Sequence, residues 1–375
     1  MYNSVDLYYE PQELLNKKTD GEIAKYSEMT DFQQAFLCGL IKQRKPQKIL
    51  EIGVAAGGTT AVILNCLNMI GSSSQNEMYS LDISERWYRD AAKETGFLVK
   101  KYEKEIIGKI KHEFLFGESI ARVIEKIEGD IDMVVLDTAH SLPGEYLDFI
   151  VTLPYIKDGG IVVLHDVIDA HQNILDTEIA TSLLFSTVHT KKWYMDEVDM
   201  NLFGFSNIAA FEVNKNLRNN MDDLFWAITI PWTYFFSEDE TKAYLDSIRK
   251  NYPDLYVRHI ENTFKLQKKY HEEKEQKSSK CVKQRRVHAI VNEHVAMVTK
   301  DDLGVADCRK YLWQTPFCPR WEILARITSV EESFIQLRLY QLNKDNDEES
   351  VDNMRVSLIS DADIELFISG ISLIQ

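Results

Sequence analysis

The sequence predicts a doubly wound, mostly parallel α/β sheet, on three observations. The short apolar run Ile49-Leu50-Glu51-Ile52 leads into a glycine turn at Gly53, Gly57 and Gly58, and then into the helical run Ala61-Val62-Ile63-Leu64. Further apolar runs alternate with helical stretches, the pattern of right-handed crossovers between parallel strands. Four of the first five strands stop at an acid or a His-Asp pair, namely Glu51, Asp82, Asp137 and His165-Asp166. In such a sheet those positions lie beyond the carboxyl ends of the strands, where ligands bind.

Residues 1–28 are polar and tyrosine-rich without a sustained period, and read as an arm with one short helix. Thr30-Asp31 starts an amphipathic helix on Phe32, Ala35, Phe36, Leu37 and Leu40, which stops near Lys45-Pro46. The first strand ends at Glu51-Ile52 and the second covers 78–82. Residues 85–111 are charged and read as helix in one or two pieces. A third strand covers 112–116, closed by Gly117-Glu118-Ser119, and a fourth covers 131–136. After a helix over 143–155, Asp158-Gly159-Gly160 reads as a tight turn into a fifth strand at 161–164. A helix over 175–185 follows. Segments 191–194 and 208–213 complete seven strands as an antiparallel edge pair.

Residues 221–284 hold an aromatic cluster and then a long helix from about 253 to 280, whose end leans basic. Beyond it, β signals at 287–298, 321–328, 334–342 and 354–359, with a turn at 343–347, read as a small β-rich unit. The expected division is 1–28, 29–220, 221–284 and 285–375.

A chain of 375 residues is long for one domain, and 45% hydrophobic with 27% charged residues is ordinary for a globular protein. The net charge of −16 argues against nucleic acid, whose phosphates need a basic face. Five scattered cysteines read as reduced thiols, with no metal knuckle among them. No apolar run approaches the roughly 20 residues of a membrane span. The start lacks the basic and apolar parts of a signal peptide, so the expected location is cytoplasmic.

The glycine turn has the spacing Glu51-x-Gly53-x-x-x-Gly57-Gly58, wider than the Gly-x-Gly-x-x-Gly that cradles a pyrophosphate. A carboxylate at the strand end suits a cationic ligand better than a diphosphate. The stretch resembles motif I of the class I S-adenosylmethionine-dependent methyltransferases, and so implies a seven-stranded, mostly parallel Rossmann-like methyltransferase sheet. Residues 134–140, with Tyr146, Asp148 and the run 159–166, resemble the O-methyltransferases that include catechol methyltransferases. They resemble more closely the branch with macrolide-sugar O-methyltransferases and cephalosporin hydroxylase-type proteins. The resemblance covers about residues 29–270.

That resemblance implies roles. Glu51, Gly53, Gly57, Gly58 and Asp82 would hold S-adenosylmethionine, Asp82 taking the ribose hydroxyls and Ser119 lying by the adenine. Asp137 and Asp166 would bind a divalent ion, Mg or Mn, with His165 as a further ligand. His140 would be the general base, with Asp137 beside it in catalysis. Catechol enzymes carry an Asn after the second Asp; here it is Val167. Imidazole at His165 would suit Mn, Fe or Zn better than Mg.

The acceptor implied is a sugar hydroxyl in a glycan, glycolipid or glycosylated natural product. An aliphatic hydroxyl is a poor nucleophile, so a cation to lower its pKa and a neutral histidine to take its proton make chemical sense. Trp226, Pro231, Trp232, Tyr234 and Phe236 either shape the acceptor pocket or form core between sheet and long helix. Structural alternatives stand beside the functional ones: Asp82 as a turn cap, Ser119 in a plain turn, His140 and His165 as satisfied packing residues. A phenolic acceptor and a non-catalytic cofactor-binding assembly subunit are the rival functions, and the wide turn disfavours a dehydrogenase. Homo-oligomerisation stays open, with dimerisation or glycan docking as roles for 285–375.

Overall fold

The computed structural model describes residues 2–71, 75–168, 179–195 and 204–282, with side chains to 273. Beyond them it describes strand backbone at 311–313, 323–331, 334–342, 348–357 and 371–373. The chain divides into two compact units, Met1–Lys268 and Lys269–Gln375.

The first unit is built on one sheet of seven strands. These are β1 (Lys48–Ile52), β2 (Glu77–Asp82), β3 (Lys111–Phe116), β4 (Ile131–Leu136), β5 (Ile156–His165), β6 (Lys192–Trp193) and β7 (Ile208–Glu212). Their order is β3-β2-β1-β4-β5-β7-β6, with β1 to β5 parallel and β7 antiparallel to both neighbours. The expected mostly parallel sheet with an antiparallel edge pair is what the chain forms.

Side chains alternate between the faces of a strand, and here both faces are covered. Leu50, Ile52, Val134, Leu136, Val162 and Leu164 join one core cluster, and Ile49, Met133, Val135, Ile161 and Val163 join the other. The second cluster takes side chains from α1 (Glu10–Lys18), α2 (Glu22–Tyr26), α3 (Asp31–Arg44), α4 (Gly58–Met69), α5 (Phe97–Lys101) and α6 (Glu103–Ile106). The first takes them from α7 (Ile120–Ile127), α8 (Gly144–Thr152), α9 (Ala180–Thr187), α10 (Lys215–Asn219), α11 (Asp222–Ala227), α12 (Glu238–Asn251) and α13 (Asp254–Val282). Each core position of this kind contributes about 1.5–3 kcal/mol of burial, which is why the apolar runs were readable as strands.

Three expectations change. The arm holds two helices and is packed down: the Asn3 N–H donates to the Lys192 carbonyl at the sheet edge (2.9 Å), and Tyr8 N–H to Ala35 (3.0 Å). Residues 85–96 are not helical; they fold back as turns around buried Trp87, with an Arg86–Glu94 bridge, and helix starts only at Phe97. Their charges have no helical period, and Gly96 at φ +68° caps the helix start. Asp158-Gly159-Gly160 lies inside β5 as an irregularity, where the β4–β5 register shifts between Ile131 and Met133.

Helix α3 begins as expected, with Thr30 and Gln33 forming a reciprocal capping box. Of the expected helix at 175–185, residues 175–178 lie outside the described residues, and α9 begins at Ala180. No described helix is long and apolar enough to cross a membrane. Cys38 and Cys66 are buried free thiols.

In the second unit β9 (Ile323–Glu331), β10 (Phe334–Leu342) and β11 (Glu348–Ser357) form an antiparallel sheet. Strands β8 (Tyr311–Trp313) and β12 (Ile371–Leu373) pair antiparallel. The strand expected at 287–298 and the turn at 343–347 lie outside the described residues.

Candidate active site

Strand register brings the site together. Ile52 pairs with Leu136 and Leu136 with Leu164, so the residues after them, Gly53, Asp137 and His165, come side by side at one rim. Asp137 N–H donates to the Ile52 carbonyl (2.9 Å), and a Cβ on Gly53 would lie 1.7 Å from the Asp137 carbonyl oxygen. Gly53 is glycine because the next strand's backbone occupies its side-chain space. The same holds around the turn: a Cβ on Gly57 would meet Gly96 Cα at 3.1 Å, and one on Gly58 would meet Ser27 Cα at 2.8 Å. The expected close approach is real, but it is made by other stretches of chain.

Asp137, His140, His165 and Asp166 converge, with one ligand atom from each all within 4.8 Å of one another. His165 Nδ1 donates to Asp137 Oδ1 (2.9 Å) and stands 3.3 Å from Asp166 Oδ2. His140 Nε2 stands 3.0 Å from Asp166 Oδ2. Both His140 and Asp166 have φ of +53°, a left-handed conformation uncommon for residues with side chains. Two imidazoles and two carboxylates are a donor set for a divalent transition ion, and the buried His165 Nε2 has no partner of its own. The residues fit a cation.

A cavity of about 390 Å³ opens on this cluster. Gly53, Ala55 and Gly58 of the turn line it, as do Asp137, His140, His165 and Asp166. Other expected cofactor residues stand behind its wall. Glu51 is fully buried and accepts from Thr60 Oγ1 (2.7 Å), and burial pushes its carboxyl up to about 8. Asp82 Oδ2 accepts from the Val54 and Ala55 N–H groups (3.0 and 3.1 Å), so it fixes the turn. Gly57 packs on α5, and Ser119 is buried after β3 with its hydroxyl unpartnered. Trp232 is buried against Phe264 and Phe235, half-buried Phe236 stacks on Tyr244, and Trp226 is 70% exposed; none of them lines this cavity.

Residues 50–167 match the family model described as a methyltransferase domain. Over that stretch the chain is similar to a methyltransferase domain. No curated protein matches the chain. Among solved structures, the O-methyltransferase TomG from Streptomyces achromogenes, in complex with SAM, is 15% identical, with a TM-score of 0.38 over 56% of this chain and 92% of that one. The O-methyltransferase from Bacillus cereus, in complex with SAH, is 15% identical with a TM-score of 0.36, over 54% and 90%. The SAH-bound Podospora anserina methyltransferase PaMTH1 is 14% identical with a TM-score of 0.36, over 55% and 87%.

The fold also places two residues at the cluster that sequence reasoning missed. Glu145, fully buried in the first turn of α8, accepts from the Thr138 N–H (2.7 Å) and stands 3.0 Å from His140 Nδ1. That imidazole contact is at ion-pair distance but not aligned as a hydrogen bond. Asn207, just before β7, donates to Asp166 Oδ1 (2.5 Å) while its own oxygen accepts from the Ile168 N–H (2.9 Å). Held between Asp166 and the Ile168 N–H, it orients the Asp166 carboxylate.

The cluster is electrostatically tense. Burial alone would depress His140, but Glu145 and Asp166 override it and push the imidazole up to about 12. Burial would raise Asp137, yet the His165 charge holds its carboxyl below the usual range. Without a cation the histidines carry the positive charge that the carboxylates require.

Proposed function

We propose that the chain is an S-adenosylmethionine-dependent O-methyltransferase, assisted by a divalent metal and acting on a sugar hydroxyl. The observation that carries this reading is the cluster of two carboxylates and two imidazoles, on the wall of the cavity that the glycine turn also lines. Asp137, Asp166 and His165 would hold the ion. A divalent ion there would offset the carboxylate charge and acidify an acceptor hydroxyl beside it. Once the ion had displaced the proton that the carboxylates hold on His140, Nε2, the nitrogen facing Asp166, would be free to take the acceptor hydroxyl's proton during methyl transfer. Glu51 and Asp82 support the turn from behind, and Gly53 and Gly58 present backbone atoms to the cavity. A sugar acceptor is favoured because an aliphatic hydroxyl needs both the cation and the base.

The test is transfer of radiolabelled methyl from S-adenosylmethionine to panels of sugar and phenol acceptors, with Mn²⁺ and with EDTA. Label on sugars, lost in EDTA, is the expected result. Label on phenols alone would overturn the acceptor class, and EDTA-resistant transfer would overturn the metal.

Glu145 is read as the residue that positions His140 and sets its charge. Glu145→Gln keeps an oxygen for the Thr138 N–H and removes the negative charge. A carboxylate beside an imidazole raises its pKa, so this variant should move the ascending limb of kcat to lower pH by about 1–3 units. A pH profile superimposable on that of the unaltered chain would exclude the role.

A further inference from the structure

An S-adenosylmethionine tail carries an α-ammonium and an α-carboxylate on one carbon, and a site that takes it needs an anion and a cation close together. Glu51, the acid expected to fix that tail, is sealed behind Thr60 and does not line the cavity. The Val54 and Ala55 N–H groups, which could have received the carboxylate, are taken by Asp82. Among the described residues lining the cavity, Arg89 is the one permanent cation. Of the lining acids, Asp137 and Asp166 face histidines, which leaves Glu28.

Glu28 and Arg89 already form a dipolar wall. Arg89 Nη2 donates to Glu28 Oε2 (2.5 Å), Arg89 Nε donates to the Tyr88 hydroxyl (2.7 Å), and that hydroxyl donates to Glu28 Oε1 (3.1 Å). The segment bearing Glu28 is held in place. Ser27 sits against Gly58, Gln34 Nε2 donates to Ser27 Oγ (2.8 Å) and to the Met29 carbonyl (3.0 Å), and the Thr30 capping box follows. We infer that Glu28 and Arg89 clamp the amino-acid tail of the cofactor, Arg89 taking its carboxylate and Glu28 its ammonium. The inference rests on the S-adenosylmethionine reading and deepens it: these two side chains select the full amino-acid cofactor over its tail-less relatives. The inserted zwitterion replaces one exposed ion pair by two, with the fork of Arg89 meeting a carboxylate of matching geometry.

The test is calorimetry on the full chain with three probes: S-adenosylmethionine, decarboxylated S-adenosylmethionine and methylthioadenosine. Arg89→Ala should weaken S-adenosylmethionine about 10–100-fold and leave both other probes within about twofold, since neither carries the carboxylate. Glu28→Gln should weaken S-adenosylmethionine and the decarboxylated form but not methylthioadenosine. Equal losses for all three probes would make the pair a mere latch on the cavity mouth and overturn the inference, as would unchanged affinity in both variants. Failure of the unaltered chain to bind S-adenosylmethionine would instead sink the cofactor reading itself. Both positions lie at the mouth, and Arg89 is largely exposed, so the variants are expected to fold.

Discussion

Asp137→Asn should reduce methyl transfer at least 10²-fold while leaving S-adenosylmethionine affinity close to that of the unaltered chain. Asp137 is one of two carboxylates in the cluster and the partner of His165 Nδ1 at 2.9 Å. The substitution removes an anionic ligand and frees an imidazole that the remaining ligands depend on for orientation. Transfer assays, calorimetry with the cofactor and elemental analysis separate the effects. Cation uptake has its own signature. Carboxylates hold His140 and His165 protonated, raising both above the ordinary histidine range. A cation must displace those protons, so its affinity should rise with pH and its binding heat should vary with the buffer's ionisation enthalpy. Full activity of Asp137→Asn in EDTA would refute the metal role.

Gly53→Ala should be worse still, because it acts on the fold. Its φ is +96°, and the new Cβ would sit 1.7 Å from the Asp137 carbonyl oxygen, between two paired interior strands. Neither strand can move without breaking the Ile52–Leu136 register in the buried sheet. A loss of more than about 4 kcal/mol is expected, the range of strain at a special backbone position with a steric clash added. Gly71→Ala is the control, since Gly71 also has positive φ (+84°) but nothing within 4 Å of its Cβ. It should lose only about 1–2 kcal/mol, the left-handed penalty alone. Urea unfolding of both variants reads the difference, and equal losses would show that the contact with Asp137 is not what fixes Gly53.

What was legible in the sequence was whatever short range decides. Ile49, Leu50 and Ile52 before a glycine turn identify a strand and its turn, and Asp82 and Asp137 fall at one rim because strand ends are local events, whereas Glu51 lies within β1 and is fully buried. Asp137 and His165 meet because Leu136 and Leu164 are in register, a consequence of the sheet order that follows from the crossovers. Glu145 and Asn207 were illegible for the opposite reason. Glu145 reads as an ordinary acid in a first helical turn, and only the left-handed backbone at His140 turns the imidazole toward it. Asn207 comes from the far side of β5, just before the expected strand β7, and nothing in its neighbours marks it as a partner of Asp166. Residues 85–96 misled because charge without period looks like a solvated helix, whereas Trp87 buries itself and folds the segment around it.

The arm carries a consequence for how this enzyme is divided. By composition it is a polar leader, and a boundary at 28/29 looks natural. Yet its first residues are pinned to the sheet edge at Lys192, while Tyr26 and Glu28 at its far end form part of the cavity lining. The chain therefore begins at one margin of the sheet and crosses to the binding rim before the first strand is laid down. Trimming there would spare every strand of the scaffold but take Leu15 and Ile23 from the core and Tyr26 and Glu28 from the cavity wall. The arm is at once core and cavity wall, so no cut at 28/29 separates the fold from the site.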